Sequence, residues 1–421
     1  IELYILHFCF MIEFERFTLS NGLRVLVHRD SSTPIVAMNI LYKVGSRDED
    51  PERTGFAHLF EHLMFGGSVN IPKYDEPLEQ AGGENNAFTN SDITNYYLTI
   101  PKQNLETAFW LESDRMLNLA FSQKSLDVQR NVVVEEFRQN YLNQPYGDAW
   151  LLLRPLAYKV HPYQWPTIGK DPSHIENARM EDVKAFYTKY YNPSNAIMVV
   201  AGDVDTEQIL SLSQKWFGSI DKNGHFERLL PAEPEQNGER LLETERNVPF
   251  DAIYKAWHMC DRNNSAFYPA DLLSDILSAG KSGRLYSNLV MKQQLFSDLN
   301  AYVTGDADNG LFVINGKLMK GVTFEEAEKA IGYEISRLCK EPVEPDELQK
   351  VKNRVESLMT FSEMRVLDKA MNLAYYEFLG DAGMINQVVT HYNTVTDSDL
   401  LTAANRIFSN QNCSTLRYKA I

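Results

Sequence analysis

Three things are scarce in this 421-residue sequence: cysteine, long apolar runs and positive charge. The four cysteines are Cys9, Cys260, Cys339 and Cys413, and no two form a CxxC pair. That excludes a zinc ribbon and a dithiol redox motif, and a disulfide framework does not suit a chain of this size. No segment reaches the ~18 consecutive apolar residues of a membrane-spanning helix. The opening stretch Ile1 to Phe10 is apolar but short, with neither the basic start nor the small-residue cleavage site of a secretory signal. We expect Met11 to be the natural start, residues 1–10 not to be native structure, and the protein to be cytoplasmic. A truncated export signal, with a periplasmic location, is the alternative. Lys plus Arg number 41 against 57 Asp plus Glu, a net charge of −16. So acidic a chain is a poor ligand for nucleic acid, whose binding depends on neutralising phosphates.

What is present is ample core material: 44% of residues are hydrophobic and 23% charged. Length alone suggests roughly two to three domains. Residues 15–28 alternate apolar and polar around Asn21-Gly22, a hairpin signal. Strands are expected at Ile35 to Val44, within 82–100 and at Ala196 to Ala201. Helical periodicity marks Gly55 to Phe65, 102–120, 122–141, Asp182 to Tyr190 and Thr206 to Phe217. A polar stretch with Gly224, Pro231, Pro234 and Gly238 follows, and reads as a linker. The pattern then repeats, with a strand at Phe250 to Trp257 and helices at Tyr268 to Leu277 and Asp346 to Phe361. The expected fold is therefore α+β: two homologous units, each an antiparallel-rich sheet with helices packed on one face. The first unit is 1–222, the linker 223–247 and the second unit 248–421.

The sharpest chemical signal is His58-Leu59-Phe60-Glu61-His62. On a helix, positions i and i+4 share a face, so His58 and His62 can grip one metal ion while Glu61 reaches a metal-bound water. Phe56, Leu59, Phe60 and Leu63 form the opposite, apolar stripe. This is the inverted HxxEH arrangement of zinc proteases. A hydrolytic zinc needs a third protein ligand and an open position. Glu135 and Glu136, in QRNVVVEEFRQN on a predicted helix, are both suitable, and spacing does not choose between them. A structural zinc site is the rival, but such sites are closed by four ligands, often cysteines, and none lies near.

HLFEH followed by RNVVVEEF resembles the pitrilysin-type (insulysin, mitochondrial processing peptidase) M16 metallopeptidases, in particular their short two-unit members. The resemblance extends to SNGLRVLV, GGENNAFTNSDITNYY, HPYQWPTIG and SGRLYSNLV, and spans nearly the whole chain. It implies a zinc-dependent endopeptidase that cleaves extended peptides in a closed chamber, with one Zn2+ per chain. His58, His62 and Glu136 would be the metal ligands, with Glu135 the fallback, and Glu61 the catalytic base. Asn85 to Thr89 would be an edge strand that holds substrate, with Asn86, Ala87 and Phe88 bordering the scissile bond. A glutamate common in the family seven residues before the distal ligand is Gln129 here. In the second unit Asp271, Ser274 and Asp275 stand where His58, Glu61 and His62 stand, so no second zinc site is expected. The Arg and Tyr that this unit supplies to substrate in many members are replaced by Val290 and Ser297. The resemblance thus implies a dimer with a zinc-less homologous subunit that brings both; a homodimer using Arg284 or Tyr286 is the alternative. A non-catalytic, peptide-binding or scaffold subunit is the rival function. Finally, residues 48–92 hold ten acids and two bases. We expect a solvated acidic surface, with a negative chamber wall selecting basic peptides as the sharper alternative.

Overall fold

Asn21-Gly22 turns the chain because Gly22 adopts φ +92°, a left-handed conformation that a Cβ penalises. The computed structural model describes residues 11–221 and 228–421, so the expectation for residues 1–10 lies outside the described residues. The turn joins β1 (Glu15–Thr18) to β2 (Arg24–Arg29) as an antiparallel pair. With β3 (Ile35–Tyr42), β4 (Glu84–Thr89), β5 (Thr94–Pro101) and β6 (Ala196–Gly202) they form one sheet, ordered β1-β2-β6-β3-β5-β4. Only β2 and β6 are parallel. The helices of this half are α1 (Phe56–Met64), α2 (Asp75–Gln80), α3 (Leu105–Leu117), α4 (Gln123–Phe137), α5 (Ala149–Ala157), α6 (Pro172–Glu176), α7 (Met180–Tyr190) and α8 (Thr206–Phe217).

The second half repeats the plan. Its strands are β7 (Arg240–Arg246), β8 (Ala252–His258), β9 (Phe296–Val303), β10 (Leu311–Leu318) and β11 (Cys413–Ala420), ordered β7-β11-β8-β10-β9 with β7 and β11 parallel. Apart from the extra edge strand β1, the two orders correspond strand for strand. Its helices are α9 (Phe267–Ser278), α10 (Phe324–Lys340), α11 (Pro345–Ser362), α12 (Val366–Leu379), α13 (Val388–Thr394) and α14 (Asp397–Ile407).

Each sheet carries its own half's helices on one face, as the patterning implies. Val36, Met38, Ile40 and Tyr42 of β3 point into that layer in the first half. The opposite faces hold the surprise: they are covered by helices that the halves exchange. Ala37 and Leu41 of β3 and Ile197 and Val199 of β6 share a core with Ala370, Leu373 and Ala374 of α12. In return α5 lays Ala149, Leu153 and Ala157 on Tyr254, Val313 and Leu416 of the second sheet. Ion pairs fasten α12 in place: Glu377, nearly inaccessible, meets Arg16 at 2.8 Å and Arg24 at 3.1 Å, and Lys369 meets Asp30 at 2.7 Å.

Residues 223–227 of the predicted linker 223–247 lie outside the described residues, and the rest is corrected in part. Residues Arg240–Arg246 form β7, because alternating side chains and parallel pairing with β11 satisfy their backbone as a strand. Upstream, the segment is pinned at three points. Arg228 donates to Asp48, Glu233 accepts from the amides of Lys159, Val160 and His161, and Gln236 bonds the carbonyl of Cys413.

Candidate metal centre

Helix α1 starts at Gly55, whose φ of +89° lets the chain turn into the helix. The first amides of any helix lack intrahelical partners. Here Glu49, buried and six residues upstream, caps them: its carboxylate accepts from Gly55 N at 2.9 Å and Ala57 N at 2.8 Å. Burial pushes the Glu49 carboxyl up to about 8, opposed by those two amides. Phe56, Leu59, Phe60 and Leu63 are buried, and His58, Glu61 and His62 lie on the other, half-buried face. The helix is thus oriented by apolar burial on one side and by a carboxylate cap at its start.

Helix α4 packs on α1 through Val133, Val134 and Phe137. That rotation brings Glu136 to the histidines. The Nε2 atoms of His58 and His62 lie 3.4 Å apart, and Glu136 Oε2 lies 3.7 Å and 3.5 Å from them. Two ligands held at ~2.0–2.1 Å by a tetrahedral zinc are separated by about 3.3–3.4 Å, so the triangle has the size such an ion needs. Glu135, the fallback, points to solvent and pairs with Arg138. Among the described residues this is the one group of three or more His, Cys, Asp or Glu side chains close enough to hold a metal.

The electrostatics suit a cation. Burial holds the His58 imidazole well below its usual value, opposed by Glu136, so it is neutral with a free lone pair at pH 7. The hydrogen bond with His62 keeps the Glu136 carboxyl below its usual value, against burial. Burial raises the Glu61 carboxyl, opposed by a hydrogen bond from Thr89 and by His62. His58 Nδ1 is buried without a partner.

Strand β4 ends the sheet, with one edge on β5 and the other unpaired among the described residues. It carries Asn86, exposed, and Ala87 and Phe88, half-buried. The amide of Ala87 donates to the side chain of Asn86 at 2.8 Å. The strand meets α1 at its last residue: Thr89 Oγ1 donates to Glu61 Oε2 at 2.6 Å.

Sequence reasoning missed two residues here. Glu49 sits in an acidic run and reaches its helix across a loop, outside any local capping spacing. Thr89 contacts Glu61 only through sheet geometry. The acidic run divides: six of its ten carboxylates are exposed, while Asp48, Glu49, Glu61 and Asp92 are wholly or partly buried. Asp48 binds Arg228, Glu49 caps α1, and Asp92 pairs with Arg47 at 2.8 Å and accepts from Tyr163 at 2.5 Å. Asp75, Glu76, Glu79 and Glu84 stay exposed beside β4.

In the second half, Asp271, Ser274 and Asp275 lie on α9. Asp271 accepts from Tyr392 at 2.5 Å, Ser274 bonds the Asp271 carbonyl, and Asp275 pairs with Arg354 at 2.8 Å. Arg284, raised as an alternative substrate contact, is buried and paired with Glu347 at 2.6 Å. Val290 packs on the core and Ser297 is exposed.

Comparison with known proteins agrees with this geometry. Residues 24–163 match the family described as Insulinase (Peptidase family M16), and residues 177–355 match the Peptidase M16 inactive domain. The chain is 31% identical over 417 residues to zinc protease PqqE of Helicobacter pylori, covering 96% of this chain and 92% of that protein. It is 25% identical over 401 residues to an uncharacterized zinc protease of Rickettsia felis, covering 94% and 96%. The crystal structure of a protease from Helicobacter pylori superimposes with a TM-score of 0.91 at 29% identity, covering 97% of this chain and 99% of that one.

Proposed function

Because this chain belongs to the M16 peptidase family, we propose that it is a zinc-dependent endopeptidase that cleaves extended peptides, with His58, His62 and Glu136 as metal ligands and Glu61 as general base. The observation that carries the reading is the triangle of three donor atoms, two from α1 and one from α4, with Glu61 one residue before His62 on α1. When bound, zinc supplies an acidified water and a Lewis acid at the scissile carbonyl.

The chain's own groups do the rest. His58 and His62 offer neutral nitrogens, and Glu136 contributes the negative charge that offsets part of the ion's. Glu61, one residue before His62, takes a proton and returns it to the leaving amine; its raised carboxyl pKa moves toward neutrality, where proton exchange works best. The free edge of β4 offers main-chain groups to an extended peptide, with Asn86, Ala87 and Phe88 flanking the bond to be cut.

The absence of a free Arg and Tyr at positions 290 and 297 supports a further element of the proposal. The chain acts as the zinc-bearing subunit of a dimer, whose zinc-less homologous partner supplies them. Arg284 is a poor substitute in a homodimer, since its guanidinium is committed to Glu347.

The test uses zinc-loaded protein and an unstructured fluorogenic peptide. Glu61→Gln is expected to keep stoichiometric zinc and lose cleavage; persistent cleavage would refute the base assignment. Full turnover by the isolated chain, without a zinc-less homologue, would refute the heterodimer.

A further inference from the structure

We propose that Thr89 is a positioning residue for Glu61, and that its hydroxyl sets which carboxylate oxygen faces the reaction. This rests on the endopeptidase reading above and adds a residue to it. Thr89 Oγ1 donates to Glu61 Oε2 at 2.6 Å. It is the one hydrogen bond that the Glu61 carboxylate receives among the described residues, which leaves Oε1 unbonded there. A carboxylate on a two-carbon arm has several rotamers of similar energy, and one short bond from a fixed donor selects among them.

The donor is fixed. Threonine is branched at Cβ and stiff about χ1. Thr89 is the last residue of β4 and pairs with Thr94 of β5, whose own hydroxyl is tied to the Val44 carbonyl at 2.9 Å in the buried core. Alternation along β4 puts Asn85, Ala87 and Thr89 on the helix side: Asn85 bonds Asp75 of α2, Ala87 packs into the helix-side core, and Thr89 reaches α1. Asn86 and Phe88 face the other way, and Phe88 packs against the core that the two halves share. The strand proposed to hold the peptide therefore ends in a side chain that holds the base. An extended peptide pairing along β4 and the carboxylate that acts on it are registered to each other through one residue. Misplacement of a reacting group by about 1 Å costs on the order of 10²-fold in rate, so the effect belongs in kcat.

Thr89→Val keeps the shape and branching and removes the hydroxyl; Thr89→Ser keeps the hydroxyl. We expect Thr89→Val to lower kcat by roughly 10–100-fold, with KM and zinc stoichiometry unchanged, and Thr89→Ser to recover most of the loss. In the Glu61→Gln background, adding Thr89→Val should leave the affinity for uncleaved peptide as it was, measured by fluorescence anisotropy. A Thr89→Val enzyme with wild-type kcat overturns the proposal. So does a weakened peptide affinity in the Glu61→Gln background, which would make Thr89 a substrate contact. If the zinc-loaded wild type cleaves nothing, the endopeptidase reading falls, and crystal structures decide Thr89 separately. A Glu61 carboxylate that leaves its wild-type rotamer in Thr89→Val supports the positioning role, and an unmoved one overturns it.

Discussion

Helices α1 and α9 occupy matching places in sheets of matching strand order, yet they carry opposite chemistry at matched positions. On α1, His58 and His62 meet Glu136 from α4, and their ligand atoms face one another across 3.4–3.7 Å, with Glu61 one residue before His62. On α9, Asp271, Ser274 and Asp275 stand at the same steps, and every charge is spent. Tyr392 donates to Asp271, and Arg354 of α11, the counterpart of α4, closes on Asp275. The fold is indifferent to which arrangement it carries. A metal centre arises where packing brings lone pairs together and withholds the cation or hydroxyl that would satisfy them; supplying Arg354 and Tyr392 turns the same scaffold into a structural lock.

The contrast can be broken at matched positions. The largest effect is expected at Glu61 against Ser274. Glu61→Gln should lower kcat by ~10²–10⁴-fold, the usual worth of general acid–base catalysis, with zinc content unchanged by elemental analysis. Ser274→Ala should leave the rate within about twofold. Next come Glu136 and Arg354. Glu136→Gln removes a proposed metal ligand and should weaken zinc binding by more than the ~10–100-fold that loss of an outer partner costs, read by chelator competition. Arg354→Ala should leave zinc binding alone and lower stability by about 1 kcal/mol or less, since its guanidinium is half exposed.

The smaller effects sharpen why α1 is held as it is. Glu49→Ala removes the cap and should cost about 1–2 kcal/mol in denaturant unfolding. Glu49 also predicts a pH signature. Its carboxyl lies near 8 when folded and near 4.5 when unfolded, so the folded chain holds the extra proton between these values. That contribution is fully present below about pH 4.5 and is lost as pH rises through 8. The melting temperature of wild type should therefore fall relative to Glu49→Gln, which cannot ionise, as pH is raised from 5 to 8.5. Parallel curves would contradict it.

Much of this was legible in the sequence where the determinants are local. The Asn21-Gly22 hairpin, the apolar stripe Phe56, Leu59, Phe60 and Leu63, and the i, i+4 histidines follow from turn chemistry and helical period. The duplication followed from repeating that reading along the chain. What stayed hidden depends on contacts across long sequence separation. Spacing alone leaves Glu135 and Glu136 open, because the choice rests on how α4 rotates against α1. Glu49 and Asp92 looked like members of a charge run and serve as a helix cap and a buried ion-pair partner. Thr89 carries no motif of its own, and the exchange of α5 and α12 leaves no periodic trace.

That exchange sets a clock on synthesis. The first sheet is complete when Gly202 emerges, but α12, which covers its far face, begins about 160 residues later. At ~5–20 residues per second on the ribosome, this face waits roughly 8–30 s before its own cover exists. The debt on the other side is longer: α5 is made early and its landing surface is finished only by β11, which ends at Ala420. The first seam can close once α12 has emerged and the second only with β11, so a nascent chain stalled between Gly202 and α12 exposes an apolar sheet face for chaperones to shield.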